Sequence, residues 1–130
     1  MRVLSASRPD ELSPILDYVH DRNYELSRVE HNARDQTLTI PVELRSTKKG
    51  ERKSWLFFRN RETTTLGKLV IKKAVGFKVV DKARIGQGDI NTVKQEGNQI
   101  IVAGGIPVTL IVDVAGFDIE LAVPDDAKPA

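Results

Sequence analysis

Thirteen of the chain's twenty lysines and arginines fall between residues 45 and 84. Arg45, Lys48, Lys49, Arg52, Lys53, Arg59 and Arg61 are interleaved there with Trp55, Phe57 and Phe58, and Lys68, Lys72 and Lys78 follow. Cationic side chains neutralise phosphates and aromatic rings stack on bases, so the chemistry this set offers is capture of an anion or a nucleic acid. The flanks run the other way: residues 1–44 carry five cations against eight carboxylates, and residues 85–130 carry two against seven. The formal charge of +2 therefore conceals a middle third of net +10. A second account of the same residues is preferred. In a β-fold Lys72 or Lys78 would stand across from Asp113, Asp118 or Glu120 in cross-strand pairs, lysines would guard an edge strand against aggregation, and the three aromatics would fill the core.

Other chemistries find less to work with. No cysteine is present, which excludes disulfides, thiol catalysis and thiolate metal sites. His20 and His31 are the only histidines, and their separation places no two imidazoles on one face, so no metal site is expected. No serine sits in a nucleophile-elbow setting. Asp118 and Glu120 share a solvent-facing parity, whereas Asp113 stands within the apolar run 108–114, where partial burial and a lysine partner are expected. Gly86-Gln87-Gly88 lacks the third glycine and the following helix of a phosphate loop, and reads as a turn. No catalytic residue and no cofactor is assigned.

The elements that would position these residues are mostly strands. Pro9 and Pro14, with Ser7 or Ser13 before them, suit first turns of a short N-terminal helix carrying Ile15, Leu16 and Val19. Leu38, Ile40, Val42 and Leu44 then alternate with polar residues, a half-buried strand whose hairpin partner is read at residues 24–31. Pro41 cannot donate to a ladder, which places that strand at an edge or a bulge. Residues 67–82 keep a period of two, with Leu69, Ile71, Val75, Phe77 and Val79 inward and the lysines outward, as two strands broken near residues 74–76 or as one bent ribbon. A hairpin over residues 90–102 turns at Gly97, residues 108–114 form a central strand, and Phe117, Ile119 and Leu121 mark the last one.

The expected fold is thus mainly β, an antiparallel sandwich or partly open barrel of about seven or eight strands with a short N-terminal helix. Residues 1–123 form one domain, and residues 124–130, with two prolines and no apolar period, form a frayed tail. No apolar run suits a secretory leader or a bilayer span, so a cytoplasmic protein without membrane contact is expected.

The stretch Leu16-Asp17-Tyr18-Val19-His20-Asp21, with Leu26, Val29 and Leu38-Thr39-Ile40-Pro41-Val42 beyond it, resembles the opening of small bacterial β-rich domains, some of them toxin-immunity proteins. In these a His-Asp dipeptide joins a short helix to the first hairpin. The resemblance covers about a quarter of the chain and implies packed antiparallel strands, a role in protein binding, and His20 and Asp21 as a structural junction. The expected function is a non-catalytic protein-binding or self-assembling module, with anion or nucleic-acid binding through residues 45–84 as the alternative.

Overall fold

The computed structural model describes residues 1–47 and 63–130. The described strands are β1 (Arg2–Ala6), β2 (Arg22–Glu25), β3 (Glu30–Asn32), β4 (Thr37–Ser46), β5 (Thr64–Lys72), β6 (Ala74–Val80), β7 (Gln87–Ile90), β8 (Thr92–Glu96), β9 (Gln99–Ala103), β10 (Thr109–Val114), β11 (Ile119–Val123) and β12 (Ala127–Lys128). The helix α1 (Ser13–Val19) lies between β1 and β2. The first sheet runs β1-β11-β5-β4, with β3 and β12 along the far side of β4; the second runs β6-β10-β9-β8; β2 and β7 form a separate ribbon. Among the described residues every pairing is antiparallel and the sheets are open, as in a sandwich.

Alternation decides the core. Leu38, Ile40, Val42 and Leu44 of β4, Leu69 and Ile71 of β5, and Ile119 and Leu121 of β11 are fully buried on one face of the first sheet. Ile100, Val102, Leu110 and Val112 of the second sheet join them in a single apolar cluster. Helix α1 adds Ile15 and Val19, with Leu12 just before it. Residues this completely removed from water each contribute roughly 1.5–3 kcal/mol of transfer free energy.

Pro41 sits where its missing N–H does no harm. Ser46 N donates to Thr63 O (2.9 Å) and Thr47 N to Asp126 O (2.7 Å), so even residues of β4 address β5 and odd ones the opposite side. On that side β3 reaches only to Thr39 and β12 begins only at Arg45, leaving Pro41 in a stretch without a ladder partner there among the described residues. β4 is therefore a local edge at its middle.

The long period-two run breaks at Lys73, whose φ of 55° ends β5. The chain passes there from the first sheet to the second: Lys72 N donates to Asp118 O and Ala115 N to Lys73 O, both at 2.8 Å. Two further expectations are corrected by pairings distant in sequence. Of the supposed hairpin partner, residues 24–31, only Glu30 and His31 pair with β4, whereas β2 turns away to β7. The hairpin at Gly97 holds, but it joins β8 to β9, and Ile90 belongs to β7.

Strand β1 was not anticipated, because its sequence shows no alternation and its partner β11 lies at the other end of the chain. Nor does the segment 124–130 hang free. It supplies β12, and the Asp126 carboxylate accepts bonds from Ser46 Oγ (2.9 Å) and Thr65 Oγ1 (3.3 Å), while Ala130 N donates to Asp17 O (2.8 Å). Polar partners and a ladder hold it where apolar periodicity does not. Among the described residues no helix is long and apolar enough to cross a membrane.

Candidate functional site

Strands at the margins of sheets present unpaired backbone groups, and natural proteins shield them with charge, brevity or cover. β8 is such a margin and carries Lys94 and Glu96, paired at 2.7 Å. β6, at the other margin of the same sheet, reads Ala-Val-Gly-Phe-Lys-Val-Val. Val75 is 53% exposed, Phe77 36% and Val79 40%, the densest group of exposed large apolar side chains among the described residues.

Their position follows from register. Phe77 lies opposite Val112 and Val79 opposite Leu110, both fully buried, so these two side chains occupy the inner face of the sheet. The inward parity read from the sequence is right for them. Their exposure arises because the other sheet covers β10 and leaves the margin at β6 uncovered.

The backbone there is open as well. Val114 N donates to Asn98 O (2.9 Å), so even residues of β10 address β9 and odd ones address β6. Ile111 and Thr109 therefore exchange bonds with Lys78 and Val80, and the N–H and C=O groups of Phe77 and Val79 point outward. None of these four groups has a partner among the described residues. The strand's beginning is closed instead: Ala74 N donates to Gln36 O (2.8 Å), and His31 Nε2 lies 3.0 Å from Ala74 O. The His31 ring also meets Phe77 edge-on at 5.6 Å, fixing the near end of the apolar strip.

Of the basic and aromatic residues singled out above, Lys48, Lys49, Arg52, Lys53, Trp55, Phe57, Phe58, Arg59 and Arg61 lie outside the described residues. Arg45 is in β4 beside β12. Lys68 and Lys72 share the outer face of the first sheet, and Lys78 stands on the outer face of the second, so the break at Lys73 puts them on opposite sides of the sandwich. Lys72 Nζ donates to Glu120 Oε1 at 2.6 Å, one of the cross-strand pairs anticipated, and that bond raises the Lys72 pKa. Asp113 is corrected: it is exposed on the outer face, and its carboxylate accepts from Gln99 Nε2 (2.9 Å), not from a lysine.

His20 and Asp21 border an open groove of about 1020 Å³ between α1 and β8, together with Leu16, Asp17, Arg22 and Lys94. His20 Nδ1 is 3.1 Å from Asp21 Oδ2. Asp21 has a φ of 60°, a conformation Asp tolerates better than most residues, and its N–H donates to Ile90 O (2.8 Å). Asn91, with its amide nitrogen toward Asp21, donates to Asp21 Oδ1 at 2.6 Å. These bonds tie the end of α1 to the β2–β7 ribbon. Charged side chains of both signs line the groove and single out no ligand class. His31 is engaged at β6, apart from His20, and no cluster of three or more metal-binding side chains occurs among the described residues.

The β6 margin was legible only in part. Its apolar spacing is plain in the sequence, but the same spacing marks a covered strand. Comparison with protein-family models, with curated proteins and with solved structures finds no match for this chain.

Proposed function

We propose that this domain is a non-catalytic protein-binding module that takes an extended segment of a partner protein alongside β6. The observation that carries the reading is the coincidence, on one strand margin, of four outward backbone groups at Phe77 and Val79 with an uncovered apolar strip. Strand addition uses both: main-chain bonds supply affinity, and pockets for alternate side chains supply selectivity. Charge argues for a foreign segment over a second copy. Residues 73–84 hold Lys73, Lys78, Lys82 and Arg84 against Asp81 alone. The Asp81 carboxylate is already engaged by the amides of Ile85 (2.8 Å) and Gly86 (2.9 Å). Two such margins side by side would repel.

A role in protein binding agrees with the resemblance to immunity-like β-rich domains, and a cytoplasmic setting suits it. The alternative, an anion or nucleic-acid surface along residues 45–84, has less support, because Lys72 is bonded to Glu120 and Lys78 faces away from Lys68 and Lys72.

The test pairs display selection of linear peptides with amide chemical-shift mapping. Selected peptides are expected to perturb residues 75–80. Val79→Pro, which deletes an outward N–H and leaves the β10 ladder intact, should abolish binding while retaining the fold. Perturbations confined to another surface, or unchanged binding by a folded Val79→Pro variant, would refute the proposal.

A further inference from the structure

Resting on that reading, we infer that the segment received by β6 has an apolar–acidic–apolar core, its acidic residue opposite Lys78. The ladder sets the register. With Phe77 and Val79 directing their N–H and C=O groups outward, an added antiparallel strand exchanges hydrogen bonds with those two residues. Lys78 then falls between them at a non-hydrogen-bonded position, where facing side chains come closest.

Side-chain parity assigns the chemistry. Phe77 and Val79 lie on the inner face, opposite Val112 and Leu110, so the partner residues facing them extend the core and must be apolar. Lys78 projects on the outer face beside Ile111, is exposed, and has no carboxylate within salt-bridge distance among the described residues. The partner residue opposite it sits on the solvent side, where a carboxylate completes a cross-strand ion pair. Lys73, Lys82 and Arg84 add a positive field around both ends of the strand. The β8 margin makes the contrast: its Lys94 already has Glu96, so it offers no comparable unpaired cation.

The probes are two capped heptapeptides, Thr-Thr-Val-Glu-Val-Thr-Thr and Thr-Thr-Val-Lys-Val-Thr-Thr, titrated against the full chain at low salt and read by amide chemical shifts at residues 75–80. Cross-strand charge pairs are modest, so the Glu peptide should bind roughly three- to tenfold more tightly, with the ratio shrinking as salt rises. In the Lys78→Glu variant the preference should reverse. Lys78 is exposed and unpaired, so that variant is expected to fold, and its dispersed amide spectrum checks this. Equal binding of both peptides at β6 would overturn the acidic preference and leave strand addition standing. If neither peptide perturbs β6, or if the chain instead self-associates through it, strand addition by a foreign segment falls as well.

Discussion

Tyr24 offers a test of the packing argument through alkali. Its side chain is 1% exposed, and its hydroxyl is buried with no hydrogen-bond partner among the described residues. The ring lies over Gly88, where a Cβ would come within 2.5 Å of the hydroxyl, so Gly88 is what leaves room for it. Burial, with smaller contributions from Asp89 and Asp81, pushes the phenol from 10.0 to about 12. The unfolded chain therefore loses this proton first, and stability falls as pH rises from 10 through 12. At 1.36 kcal/mol per pH unit the loss is about 2–3 kcal/mol by pH 12, while below pH 10 the contribution is fully present. Tyr24→Phe removes this dependence. It also removes an unsatisfied buried hydroxyl, so the variant should be about 1 kcal/mol more stable at pH 7. Urea unfolding of both proteins between pH 8 and 12 measures the difference, in which everything the two proteins share cancels. A variant as sensitive to alkali as its parent, or one clearly less stable at neutral pH, would refute the reasoning.

Further outcomes follow from single contacts. Gly104→Ala should lose about 2–3 kcal/mol in chemical denaturation, because the new Cβ would lie 2.2 Å from Asp89 Oδ1 and 2.4 Å from its carbonyl oxygen. The same carboxylate accepts from the amides of Gly105 (3.1 Å) and Ile106 (2.8 Å), so the loop cannot simply move away. Asp126→Ala should release β12, with a loss of about 1–2 kcal/mol and faster hydrogen exchange at Ala127, since Ser46 and Thr65 both donate to that carboxylate. Ile71→Ala should cost about 3–4 kcal/mol, whereas Val75→Ala, four residues along the same apolar run, should cost less than about 1. Equal losses at the two positions would show that Val75 is covered.

The amino-acid sequence alone determined which side chains share a face. Leu38 to Leu44, Leu69 with Ile71, and Leu110 with Val112 follow from a period of two, because successive residues of an extended chain must point to opposite sides. Local geometry also announced the turn at Gly97 and the edge character of β4 at Pro41, on the side away from β5. Tertiary structure decided what lies against each face and each edge. Phe77 and Val79 carry the same apolar signal as Leu69 and Ile71, yet one pair is uncovered and the other sealed, since cover depends on how far the opposing sheet reaches. Partners far apart in sequence likewise settled β1 against β11, β2 against β7 and β12 against β4. Such pairings arise from the global balance between loop closure and burial, which no short window of residues contains. The candidate site belongs to that second class: its residues could be read in advance, and its openness could not.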